Sequence, residues 1–98
     1  MNIVWTRLAE DQTAEAFAYI AAERPSAAVR WFEDLVAVVE SLAILPDHGR
    51  IVPEADRESI RELLVDPYRV IYRRDPDAVV ILTVQHQRRD LDLSAPRP

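Results

Sequence analysis

A chain of 98 residues has room for one domain and one core, and 49% hydrophobic content with a single glycine argues for a packed interior over a linker. No cysteine is present, which excludes disulfides, thiolate chemistry and cysteine-based zinc sites, and two histidines leave a metal centre unexpected. The formal net charge of −5, with twelve arginines and no lysine, excludes lysine Schiff-base chemistry and argues against direct nucleic-acid binding, and the chain has no apolar run of about 18 residues to span a membrane.

The N-terminus, MNIVWTRLAEDQ, lacks the basic and then apolar blocks of a signal peptide, so a cytosolic location is expected. Asn2–Thr6 is a short apolar run suited to a strand, and the Thr6 hydroxyl is placed to cap a helix over about Arg7 to Glu23. In that helix Ala9, Thr13, Ala16 and Ile20 form a thin, alanine-rich stripe flanked by Phe17 and Tyr19. Arg24-Pro25-Ser26 interrupts it, because a residue before proline is pushed out of the α region. Ala28, Trp31, Leu35, Val38, Leu42 and Leu45 then recur at spacings of 3 and 4, with Phe32 and Val39 widening the stripe of a second helix. The short break predicts an antiparallel helical hairpin with Trp31 as its anchor. Pro46 ends the helix, and Asp47-His48-Gly49 predicts a turn with the sole glycine at positive φ. Arg50–Asp56 reads as a loop.

Three β-rich runs follow, Ser59–Val65, Tyr68–Arg73 and Val79–Gln85, punctuated by Asp66-Pro67 and Asp75-Pro76-Asp77. They predict an antiparallel meander. Tight connections put Arg69 between Leu64 and Val84. One face then carries Leu63, Val65, Tyr68, Val70, Tyr72, Ile81 and Thr83. The other carries Ile60, Glu62, Leu64, Arg69, Ile71, Arg73, Val80, Leu82, Val84 and His86; a one-residue slip in either hairpin exchanges the faces of a strand. The helical hairpin covers one face, leaving the other to loops, the C-terminal residues or another protein. The tail from Arg88 ends in SAPRP, and its last five residues are expected to fray. No repeat or second-domain boundary is present, so residues 1–98 form one α+β domain.

The order of these elements, with the words HGRIVPE (His48–Glu54), IRELLVDPYRVIYR (Ile60–Arg73) and VVILTVQHQRR (Val79–Arg89), resembles the RelE/ParE superfamily of bacterial toxins, most closely its ParE or plasmid-stabilisation branch. The resemblance covers nearly the whole chain. It implies a RelE/ParE-like fold, an N-terminal strand and an antiparallel helical hairpin packed on a small antiparallel sheet. It also implies a toxin of a type II toxin–antitoxin pair, silenced by a cognate ParD-like antitoxin. ParE-like members poison DNA gyrase, whereas RelE-like members cut messenger RNA in the ribosome, and a shared fold does not choose between them. A degenerate copy that only binds its antitoxin is the third alternative.

Arg69 matches an arginine that nuclease members of the superfamily use to stabilise phosphate charge, and His86 matches the V-x-H-x-RR word. Glu62, Arg69 and His86 on one face would supply a base, a phosphate clamp and an acid for attack of a ribose 2′-hydroxyl on its own phosphate. Two plain alternatives stand beside this: Glu62 lies diagonally across from Arg69 and forms a salt bridge with it, and a strand-end histidine serves structure. Gln87, which does not titrate, falls at the strand end where nuclease members carry Arg or His, and the active-site lysines of several have no counterpart. Gyrase binding without catalysis is therefore the first expectation. Arg61, Arg69, Arg73, Arg74, His86, Arg88 and Arg89 are the candidate docking residues for antitoxin or gyrase, with Arg73, Arg74, Arg88 and Arg89 as one basic patch. No glycine-rich phosphate loop, Ser/His/Asp set or dinucleotide motif is present, and no cofactor is expected.

Overall fold

The computed structural model describes residues 1–88, so Arg89 and the fraying expected of the tail lie outside the described residues. The elements are β1 (Asn2–Trp5), α1 (Arg7–Glu23), α2 (Pro25–Ser41), β2 (Arg50–Ile51), β3 (Ile60–Val65), β4 (Tyr68–Arg74) and β5 (Ala78–His86). They build two helices on one face of a five-stranded sheet of order β1-β5-β4-β3-β2. The meander β3-β4-β5 is antiparallel as expected, whereas β1 joins β5 in parallel, with Asn2 opposite Ala78 and Trp5 opposite Ile81. A parallel neighbour needs a crossover, and the helical hairpin is that crossover.

Thr6 caps α1: its hydroxyl oxygen accepts from the Ala9 N–H at 3.0 Å and its hydroxyl donates to the Leu82 carbonyl at 3.0 Å. One residue thus starts the helix and ties it to β5. The helices are joined through Arg24 alone, since Pro25 stands at the first turn of α2, where its missing N–H costs nothing. α2 is shorter than its apolar period. After Ser41 the chain tightens into i→i+3 bonds, Leu42 to Val39 and Ala43 to Glu40, so Leu42 is fully buried while Leu45 is 55% exposed. Phe32 also leaves the expected core; it is 43% exposed and meets Phe17 edge-on at 6.2 Å.

The main core lies between helices and sheet, where Ala9, Ala16, Trp31, Leu35, Val39 and Leu42 meet Val65, Tyr68, Val70, Tyr72, Ile81 and Val84. Trp31 crosses this interface, donating its indole N–H to the Val65 carbonyl at 3.1 Å and packing on Tyr68 at 5.2 Å between centroids.

Two expectations are corrected here. Gly49 does not take a positive φ. It is glycine because a Cβ there would stand 2.7 Å from the Glu62 carbonyl oxygen and 2.7 Å from the Tyr72 hydroxyl. The buried Tyr72 hydroxyl accepts from the Gly49 N–H at 2.9 Å and donates to the Pro46 carbonyl at 2.8 Å, pinning the turn to the sheet. Burial pushes the Tyr72 phenol above its ordinary pKa, so it remains a donor. The second correction is register. From the β4–β5 turn to Tyr72–Ile81 the strands pair as expected, but Ile71 faces Thr83, leaving Leu82 as a bulge, and Arg69 faces Gln85 rather than Val84. β1 ends opposite Ile81, so the β5 backbone beyond it is satisfied by side chains: Thr6 takes the Leu82 carbonyl and the Gln12 amide oxygen takes the Val84 N–H at 2.8 Å. The extra residue turns Val84 and His86 to the helix side and Thr83 and Gln85 to the other.

Candidate functional site

The face of the sheet away from the helices is neither bare nor fully sealed. Arg50–Ile51, expected as loop, pairs with Glu62 and Arg61 of β3, and residues 52–56 cross the sheet as a strap. Val52, fully buried, joins Ile60 and Ile71 in a small second core, against which Ala55 and Leu82 pack. Leu64, opposite Arg69 on β3, remains 59% exposed.

Arg69 sits at the centre of this face, on the middle strand of the meander, and is only 8% exposed. Its Nε lies 2.8 Å from a carboxylate oxygen of Glu62, itself 2% exposed, which is the diagonal pair the sequence predicts. Its terminal nitrogens meet the Glu54 carboxylate of the strap at 3.0 and 3.4 Å, a fork-to-fork contact. Glu62 is also held by Arg50 at 2.9 Å. Two arginines and two glutamates thus form one neutral chain across the sheet. Burial works against the charge of Arg69, but the hydrogen bonds it donates to Glu54 and the field of Glu62 outweigh burial and hold it above its ordinary pKa. Glu54, in turn, is held below its ordinary value of 4.5 by Arg69.

The sign follows directly. A carboxylate with a lowered folded pKa gives stability that is present above its unfolded value and is lost as pH falls through the folded one. The strap is therefore expected to stay latched at neutral pH and to loosen as pH drops below 4.5. NMR shifts of the Ala55 and Asp56 amides across pH 6 to about 2.5 check this; strap signals that move only with global acid unfolding contradict it.

The structure does not bring His86 to Arg69 and Glu62. The bulge places it on the helix side, where its ring stands edge-on to Tyr68 at 5.5 Å, beside Gln12, Glu15 and Tyr19 of α1. Nor does it form the basic patch expected of Arg73, Arg74 and Arg88. The antiparallel hairpin puts Arg73 and Arg74 by the β4–β5 turn and Arg88 beyond the Tyr68–His86 pair, at the other end of the strands and roughly 20 Å away. Adjacency in a hairpin's sequence words does not survive the reversal of direction. The turn-end arginines are also paired: Arg73 with Asp75 at 2.8 Å, Arg74 with Asp47 at 3.1 Å, and Arg61 with Asp47 at 3.8 Å. Arg61 further donates to the Gly49 carbonyl at 2.9 Å, which makes it a brace for the turn.

Sequence reasoning missed Glu54, which lies in a stretch without period; its one signal was its place in the word HGRIVPE. It also missed an apolar groove of about 690 Å³ on the helical hairpin, lined by Trp5, Ala14, Phe17, Phe32 and Val36 with Glu10 and Thr13 at its polar side. No group of three or more metal-ligating side chains occurs among the described residues, and none of their helices is long and apolar enough to cross a membrane.

Comparison with known proteins adds the family. A solved structure from P. aeruginosa, described as a chromosomal ParDE TA system, superposes with a TM-score of 0.73 at 21% sequence identity, covering 88% of this chain and 95% of that one. Such a likeness carries the fold. No curated protein matches the chain at a significant level. The family described as the ParE toxin of the type II toxin–antitoxin system parDE matches residues 3–91, which is nearly the whole chain, and the protein belongs to that family.

Proposed function

We propose that the protein is a toxin that acts by binding DNA gyrase, without chemistry of its own, and that a cognate antitoxin neutralises it. The observation that carries this reading is the state of Arg69. A phosphate clamp needs free nitrogens facing substrate, and this guanidinium has Glu54 on its terminal nitrogens and Glu62 beside its Nε. A general acid must lie within hydrogen-bond reach of the same reacting atoms, and His86 stands on the opposite side of the sheet. An arrangement of binding surfaces remains.

The groove on the hairpin supports the antitoxin part of the reading. A concave apolar surface with Phe32 43% exposed at its edge suits the apolar face of an amphipathic helix. The arginines by the β4–β5 turn, Arg61, Arg73 and Arg74, are paired within the chain, which favours shape and apolar contact over a basic patch there as the basis of recognition.

Induction of the toxin alone, read out on two channels, tests the proposal. We expect an SOS response and disturbed supercoiling with transcripts intact, and growth inhibition undiminished in His86→Ala. Codon-positioned transcript cleavage that disappears in His86→Ala would replace this reading with the ribosome-dependent nuclease. Normal growth with a retained antitoxin complex would reduce the protein to antitoxin binding.

A further inference from the structure

The strap is fastened to the sheet in an uneven way. The Val52 N–H donates to the Ile60 carbonyl at 3.0 Å, which continues the β2 pairing, but the next strap amides turn inward: Ala55 and Asp56 both donate to the Val52 carbonyl, at 3.1 and 3.3 Å. Among the described residues, Pro53–Asp56 therefore reaches the sheet through side chains alone, Glu54 on Arg69 and Ala55 on the apolar floor. Asp56 closes the turn with φ 50, a left-handed conformation that an L-residue adopts at a cost. Beneath the strap Arg69 has a second carboxylate partner, since Glu62 lies 2.8 Å from its Nε. Beside the fork lies Gln85, the β5 partner of Arg69 in the ladder, 4% exposed and with an amide nitrogen that has no partner among the described residues.

We propose that Pro53–Asp56 is the chain's own occupant of a docking site for an extended acidic segment of another protein. In the docked state the strap swings out from Val52. A partner carboxylate takes the Arg69 fork, with the Gln85 amide as an additional donor, and the small apolar residue after it fills the place of Ala55 against the second core. The partner chemistry follows from what is seated there now. A guanidinium fork binds a carboxylate or a phosphate equally well, but the apolar floor that the next strap residue, Ala55, packs on is of use only to a peptide. The site keeps its neutrality, since one carboxylate replaces another. In the docked state the fork holds the partner carboxylate, the Arg69 Nε stays on Glu62 and His86 stays on the helix side, so docking supplies no free clamp beside an acid and leaves the binding reading of the toxin in place.

The test supplies the strap in trans. A capped synthetic peptide with the sequence of residues 51–56 is titrated by NMR into the wild-type protein and into Glu54→Gln. The tethered strap competes at an effective concentration in the millimolar range, so we expect the peptide to bind Glu54→Gln at least about tenfold more tightly than wild type. A peptide with glutamine in place of the carboxylate should bind neither protein detectably. Equal affinity for the two proteins overturns the proposal, as does a glutamine peptide that binds as well, or inorganic phosphate that binds as well as the peptide and displaces it. If Glu54→Gln proves unfolded by near-UV circular dichroism, native-state hydrogen exchange on the unmodified protein decides. The Ala55 and Asp56 amides should exchange through a local opening insensitive to denaturant, while Val70 and Ile81 follow global unfolding. Strap amides that exchange only with global unfolding overturn the proposal.

Discussion

Replacing Trp31 with alanine is expected to remove about 3–5 kcal/mol of stability, a large share of the 5–15 kcal/mol typical of a domain. The side chain is 5% exposed and reaches from α2 to the Val65 carbonyl of the sheet. Its removal takes away the packing partner of Tyr68, whose other side carries His86, and leaves the Val65 carbonyl without the indole donor. Trp31→Phe keeps an aromatic plug but not the hydrogen bond, and should cost about 1–2 kcal/mol. The difference between the two variants separates packing from polar satisfaction. Urea unfolding followed by far-UV circular dichroism measures both. At an m-value of about 1.5 kcal/mol/M the alanine midpoint should fall by about 2–3 M. A shift below about 1 M would mean that Trp31 is not what joins the layers.

What the sequence made legible follows how far each signal extends. The helices were readable because their stripes repeat: Ala9, Thr13 and Ala16 on α1 and Trp31, Leu35 and Val39 on α2 are buried as the period requires. The period overran the second helix because Leu45 fits the spacing, yet nothing in the spacing reports that Pro46 forces the last turn to tighten. The β4–β5 register was right near the turn, where loop length sets it, and wrong past Ile71, where distant partners set it. Thr6 and Gln12 are about seventy positions from the bulge they support, and no local word announces them. The same limit hid the strap. Val52, Glu54 and Ala55 show no alternation, and their roles exist only because the chain crosses the sheet there. Of the three residues grouped for catalysis, Glu62 and Arg69 were legible as a pair because diagonal neighbours on a hairpin stay together under the register that held. His86 was lost with the one-residue slip.

The pair itself yields the other large expected effect. Arg69→Met should destabilise by about 3 kcal/mol, because it leaves the Glu62 carboxylate, 2% exposed, with Arg50 as its remaining partner. Arg50 has a side chain 73% exposed, and a cation so hydrated compensates a buried carboxylate poorly. Glu62→Leu should cost less, about 1–2 kcal/mol, since Arg69 keeps the fork to Glu54. The double variant Arg69→Met/Glu62→Leu should recover to within about 1 kcal/mol of wild type, because an apolar pair of similar volume removes both desolvation penalties. The coupling energy of this cycle, about 3–5 kcal/mol, measures how firmly the sheet holds Arg69 in a structural role. The cycle also reaches function. A double variant that folds and still arrests growth would show that neither charge is needed for toxicity, which agrees with binding rather than cleavage. Additive, mild single effects would mean that Arg69 is not locked by its neighbours, and the argument against its use as a phosphate clamp would fail with them.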